Sequence, residues 1–234
     1  MVASGEMEGW MAKSVKTKVA SERVADILAQ RILSGELRPG ERIKQDELAS
    51  ELDMSRIPVR DALRILETRG LVSLKANAGA RVTSLTVKDM DMSYRLREML
   101  EPMLLADSIP RLTDADLDEM ADLKRQLEEL QDLGEYLTLS RAFHWASFRG
   151  HDSPLLAQIV ERLWDTTQSY RLAYARLSLK DAERWSVMRA ERDLLFRAIR
   201  RREADMAAKL LAIHIQRTRM ALLPYSHLHE LLEG

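Results

Sequence analysis

A chain of 234 residues with 46% hydrophobic and 31% charged residues has the composition of a folded protein of one large or two modest domains, not of a disordered chain. It has no cysteine, which excludes disulfides, thiolate metal sites and a cysteine nucleophile, and no stretch approaches the roughly 18 apolar residues of a membrane span. The net charge of −1 argues neither for nor against nucleic acid, but residues 54–86 carry Arg56, Arg60, Arg64, Arg69, Lys75 and Arg81 against only Asp61 and Glu67, a net +4, while residues 87–234 are net −3.

Residues 1–18 show no sustained periodicity and are expected to be a flexible tail. The apolar spacing of Val24, Ile27, Leu28, Ile32 and Leu33 predicts a helix from Ser21 that stops at Gly35. Leu37 to Gly40 reads as a turn, followed by a short strand near Arg42 to Lys44 and a second helix over 46–52. Asp53-Met54 is a tight turn. Ser55 then caps a third helix, 56–69, with Pro58 in its first turn, where a missing N–H costs little. Residues 71–74 and 80–83 have strand character around the Asn77-Ala78-Gly79 hairpin tip. Three helices and a two-stranded wing make a winged helix-turn-helix over 19–86. Beyond a capping box at Thr86 and Asp89 the chain, 87–234, reads as an all-helical bundle of about six helices: 87–109, 114–132, 135–149, 154–176, 182–202 and 204–222. The expected fold class is therefore mainly α, in two domains.

On the third helix Val59, Leu63 and Leu66 share one face and bury, while Arg56, Arg60 and Arg64 share another at i, i+4 and i+8. Three guanidiniums on one exposed stripe repel one another, and a polyanion relieves that repulsion. Each guanidinium also offers a planar fork for a phosphate or a guanine edge. The helix N-terminus at Ser55 adds exposed N–H groups for a backbone phosphate, and Lys75 extends the basic segment into the wing. Such a stripe is also what an ordinary solvated helix face looks like; the order helix, strand, helix, turn, helix, hairpin is what favours DNA.

Residues 21–86 resemble the DNA-binding domain of the GntR superfamily, on the runs Ile32-Leu33-Ser34-Gly35-Glu36-Leu37-Arg38-Pro39-Gly40-Glu41 and Leu48-Ala49-Ser50-Glu51-Leu52-Asp53-Met54-Ser55-Arg56-Ile57-Pro58-Val59-Arg60-Asp61-Ala62-Leu63. The resemblance implies that Arg56 and Arg60 contact DNA, as does Gly79 at the wing tip. Asp53 stands where that family usually has glycine; aspartate can take the left-handed conformation at some cost.

Residues 87–222 resemble the FCD type of effector domain, on Arg95-Leu96-Arg97-Glu98-Met99-Leu100-Glu101-Pro102, Phe143-His144, Ala198-Ile199 and His214-Ile215. The resemblance implies a bundle with a polar cavity, which in many relatives holds a divalent metal on one Asp and three His beneath a carboxylate effector. Two of those ligands match His144 and His214, but Ser140 stands for the aspartate and Arg192 for a histidine. Serine is a poor ligand and a guanidinium is none.

Periodicity independently turns Arg192, Ser140, His144 and His214 toward the interior of three helices. The expected reading is a cavity in which Arg192 replaces the metal as the positive centre, with Arg97 as a second fork for a small carboxylate and Glu191 or Glu101 neutralising Arg192 in the free state. The alternatives are a hydrogen-bonded polar core, and a metal such as zinc on His144 and His214. Ser140 and His144 at i, i+4 lack an oriented acid or oxyanion loop, so no enzyme is expected. A DNA-bending protein indifferent to sequence and metabolites is a further rival. The sequence thus leads to a cytoplasmic regulator with no resident cofactor, binding an inverted-repeat operator in double-stranded DNA as a homodimer.

Overall fold

The computed structural model describes residues 19–75, 79–130 and 133–225; the expected tail over 1–18 and the wing-tip pair Asn77-Ala78 lie outside them. The chain divides into two compact units between Ser84 and Leu85, each with its own apolar core.

In the first unit, helix α1 (19–33) buries Val24, Leu28 and Ile32 along one stripe. Gly35 follows it at φ 84°, a left-handed conformation that glycine adopts without steric cost. Strand β1 (Arg42–Ile43) leads into α2 (Gln45–Glu51), which buries Leu48 and Ala49. Asp53 then turns the chain at φ 50°, so aspartate does fill the left-handed position. Helix α3 (Arg56–Thr68) buries Pro58, Val59, Ala62, Leu63 and Leu66, and strands β2 (Val72–Lys75) and β3 (Gly79–Val82) form the wing. The sheet has three strands, not two. β1 joins as an edge strand in the antiparallel order β1-β3-β2, with Ile43 opposite Ala80 and Val72 opposite Val82. Val82, Ala80, Ile43 and Val72 are all buried against the helices, which explains why a two-residue strand with one apolar residue is retained.

Every described element of the second unit is a helix. α4 (Val87–Ser108) starts at a complete capping box, with Thr86 accepting from the Asp89 N–H and Asp89 accepting from Thr86. A short 3-10 turn (Ile109–Arg111) leads to α5 (Asp114–Glu129), capped in the same way by Thr113 and Asp116. The hydroxyl and N–H of Thr113, joined by Arg149, hold the Asp116 carboxyl down to about 2. α6 (Leu133–Phe148), α7 (Pro154–Thr166), α8 (Gln168–Leu179), α9 (Ala182–Arg200) and α10 (Ala204–Leu222) complete the bundle. α10 lies along α4, and α5 along α6.

The helix expected over 154–176 is two helices. The break falls at Thr167, which has no glycine or proline to announce it. Its hydroxyl donates to the Leu163 carbonyl (2.7 Å) and accepts from Arg97 Nη1 (3.2 Å). A side chain that bonds back to the preceding turn competes with the helical ladder, and here a buried arginine on another helix holds it in place.

Two junctions matter later. Gly150 closes the end of α6 against the end of α4: its N–H donates to Ser108 Oγ (2.9 Å) and its carbonyl accepts from Arg111 Nε (2.7 Å). Where the chain enters the bundle, the Leu85 carbonyl accepts from the Tyr170 hydroxyl of α8 at 2.7 Å.

Candidate DNA-reading face and effector cavity

The candidate DNA face is built by the first turns of α3 and by the wing. Ser55 occupies the N-cap position in extended backbone (φ −73°, ψ 164°) but makes no side-chain capping bond. Arg56, Arg60 and Arg64 are all exposed. Arg60 and Arg64 form no ion pair with any described residue, whereas Arg56 Nε lies 2.7 Å from Asp46 Oδ1 on α2. Lys75 is exposed and pairs across the wing with Gly79. Gly79 has φ 76°, and a Cβ on it would lie 3.8 Å from Arg42 Nε on β1. Arg42 and Asp46 are therefore members of this face that helical periodicity on α3 alone could not supply. Arg81, by contrast, donates to the Gly40 carbonyl and braces the domain internally.

The second unit encloses a cavity of about 50 Å³, room for a few waters or a small ligand. Arg97 and Glu101 reach it from α4, Ser140 and His144 from α6, Arg171 from α8 and His214 from α10. Arg97 donates to Glu101 through Nε (2.5 Å). Burial opposes its charge, but the Glu101 carboxylate more than offsets this and keeps its pKa above the usual arginine value. Arg171 was not anticipated. Its guanidinium lies 3.9 Å from the centre of the Trp164 ring, and its Nη2 donates to Gln168. Its Nε is buried without a partner. Burial, reinforced by Arg97 and Arg141, pushes the Arg171 pKa well down. Beside the paired Arg97, the cavity thus holds in Arg171 a guanidinium that meets no carboxylate among the described residues.

His144 is buried, and its ring centre lies 5.9 Å from that of His214. Burial, then the charges of His214, Arg192, Arg97 and Arg171, push its pKa well below the ordinary histidine value, so it is neutral near pH 7, with Nδ1 unpartnered. His214 Nδ1 is 2.8 Å from Glu191 Oε2. Burial opposes ionisation of Glu191, yet hydrogen bonds from His214 and Arg217 hold its pKa below the usual value. An ionised carboxylate only accepts, so the proton sits on His214 Nδ1.

Arg192 is buried on α9, but its expected carboxylate partners are both committed elsewhere: Glu101 to Arg97, and Glu191 to His214 and Arg217. The side chain that meets it is instead Tyr136, whose hydroxyl accepts from Nη2 at 2.8 Å; Nη1 is buried and unpartnered. Tyr136 lines the cavity and Arg192 stands behind it. These residues do not fit a metal. Ser140 and a guanidinium occupy two of the four implied ligand positions, and among the described residues no group of three or more His, Cys, Asp or Glu is placed to hold one. Nor is any described helix long and apolar enough to cross a membrane.

Comparisons with known proteins agree with this geometry. Residues 20–82 match the family described as bacterial regulatory proteins, gntR family, and residues 92–217 match the FCD domain. The chain is 28% identical over 194 residues to the uncharacterized HTH-type transcriptional regulator YdhC of Bacillus subtilis (strain 168), covering 80% of this chain and 84% of that one. It is 29% identical over 212 residues to the gluconate operon transcriptional repressor of Bacillus licheniformis, covering 87% and 84%. Among solved structures it superimposes on E. coli McbR/YncC with a TM-score of 0.76 at 25% identity, covering 88% of this chain and 97% of that one. With both matches in chain order and together spanning most of its length, the chain belongs to the GntR family of DNA-binding transcription regulators, carrying an FCD domain.

Proposed function

We propose that this regulator is a cytoplasmic repressor that binds an inverted-repeat operator as a homodimer and is controlled by a small carboxylate held in the cavity without a metal. Ser55, Arg56, Arg60, Arg64, Lys75 and Gly79 are the DNA-contacting set. The carrying observation is the exposed arginine stripe of α3, with Arg60 and Arg64 in no ion pair with a described residue. One such helix reads one half-site, so a two-fold dimer meets a palindrome. Relatives named as repressors of the gluconate operon support the sign of regulation. Arg60→Ala is expected to cost about 1–3 kcal/mol of operator binding if the side chain forks onto a base, measured by fluorescence anisotropy at fixed salt. Wild-type affinity in both Arg56→Ala and Arg60→Ala would assign recognition to another element.

The homodimer has a ready surface in α4. Met92, Leu96, Met99 and Met103 recur at i, i+4, i+7 and i+11, each 40–66% exposed. That spacing is the seam of a helix pair, and a second copy presents the same seam about a two-fold axis.

The effector reading rests on the guanidinium crowd. Arg97 and Arg171 line the cavity and Arg192 backs it through Tyr136, with Arg171 Nε and Arg192 Nη1 lacking acceptors. A carboxylate in the cavity supplies the counter-charge that Arg171 lacks, with Tyr136 between it and Arg192. His144, Ser140 and His214 complete the wall. A thermal-shift screen of small carboxylates, with and without excess chelator, should find ligands that raise the melting temperature independently of metal. Arg171→Ala should abolish the shift, and Arg192→Ala should weaken it by releasing Tyr136. Stoichiometric zinc on the purified protein, or a shift that survives both substitutions, would replace this reading with the metal-dependent one on His144 and His214.

A further inference from the structure

Asp46 is the one acidic side chain paired with the arginine stripe of α3 among the described residues. It sits at the second position of α2, contributes to no cap, and reaches the first residue of α3 across the turn. Both partners are exposed, Asp46 by 67% and Arg56 by 75%. An exposed ion pair of this kind adds little to stability, so folding gives no strong reason for it. Its position at the head of the recognition helix gives one.

We infer that Asp46 is a specificity-determining residue that sets Arg56 to read a guanine edge and keeps it off the phosphate backbone; this rests on α3 being the recognition helix. The carboxylate holds Nε of Arg56 at 2.7 Å. Nη1 and Nη2 remain, and that parallel pair is the fork that matches guanine O6 and N7 in the major groove. A phosphate approaching Arg56 meets the negative charge of Asp46 as well, whereas Arg60 and Arg64 carry no such guard. The stripe is thereby divided: Arg56 is held for a base, whereas Arg60 and Arg64 stay open to base or backbone. The second carboxylate oxygen of Asp46 can accept from an exocyclic amine, so the base next to the guanine presents cytosine N4 or adenine N6. The ligand chemistry is a guanine with a neighbouring exocyclic amine, read by two residues on two helices.

The test uses the full chain and an operator selected from a randomised duplex library by the wild-type protein, with affinities measured for that duplex, for each single base-pair change and for non-specific DNA. Arg56→Ala identifies the base pair that Arg56 reads, because preference there flattens. Asp46→Ala should flatten preference at the same pair by at least about fivefold and also at the adjacent base whose amine Asp46 accepts from, with positions beyond these two unchanged, non-specific binding equal or tighter, and an unreduced salt dependence. Asp46→Asn keeps the acceptor and loses the charge, so it should keep the guanine preference while binding non-specific DNA more tightly. If Asp46→Ala raises affinity for all duplexes alike and leaves that preference intact, Asp46 is only a surface charge and the inference fails. If Arg56→Ala flattens no position, the recognition helix itself is misplaced, a separate failure.

Discussion

Replacing Leu96 and Met99 together by glutamate is expected to turn the protein into a monomer and to weaken operator binding by about 10²–10⁴-fold. Both side chains lie on the exposed apolar seam of α4. In an isolated chain the two glutamates face water and leave the fold unchanged, so circular dichroism and the melting curve of the monomer should stay close to normal. Across a two-fold seam they meet their own copies, and four carboxylates in one dry interface are strongly unfavourable. A monomer has one winged helix for a two-part operator and loses the gain that linkage gives to the second half-site. Sedimentation velocity and anisotropy on the same samples decide the matter. A double variant that remains dimeric places the interface elsewhere, and a monomer with full operator affinity removes the need for a dimer.

Gly150→Ala is expected to lower stability by about 3 kcal/mol, read as a shift of the urea midpoint at constant slope. A Cβ on Gly150 would stand 2.5 Å from the Ser108 carbonyl oxygen and 3.0 Å from the backbone of Arg111 and Leu112. These are backbone atoms at a helix end and in a 3-10 turn, with no rotamer to yield. Relief requires the end of α6 to back away from α4, which breaks the bonds from Gly150 to Ser108 and from Arg111 to Gly150. A variant within 0.5 kcal/mol of wild type, about the scatter of neutral surface changes, would show that this junction opens freely.

What could be read without coordinates was what neighbours in sequence decide. The Thr86 and Thr113 boxes are local, since one hydroxyl and one carboxylate three residues on satisfy two N–H groups. The α3 face is equally local: 3.6-residue periodicity alone separates Leu63 from Arg60. The left-handed turn at Asp53 needed only a residue that tolerates positive φ. The failures share the opposite character. Thr167 breaks a helix because Arg97, seventy positions earlier, holds its hydroxyl. Spacing along the chain offers Arg192 the acids Glu191 and Glu101, but Glu191 is taken by His214 and Arg217 of α10 and Glu101 by Arg97. Which of two carboxylates meets which of several guanidiniums is settled by helix packing, and periodicity carries no information on it. Arg171 was missed for the same reason: one helix drawn through 154–176 gives its stripe the wrong phase after the break. Gly150 lies in the turn after α6 without a positive φ; what requires glycine there is the approach of another backbone.

The bond from Tyr170 to the Leu85 carbonyl fastens the start of the bundle to α8. Tyr170 and Arg171 are consecutive on α8, so one points its hydroxyl at the strand of chain entering the domain while the other leans over Trp164 in the cavity. Adjacent residues of a rigid helix share every rotation and slide of its axis. Any shift of α8 that moves Arg171 in the cavity therefore also moves the hydroxyl that holds the Leu85 carbonyl at 2.7 Å, so α8 ties the wall of the cavity to the first residue of the bundle.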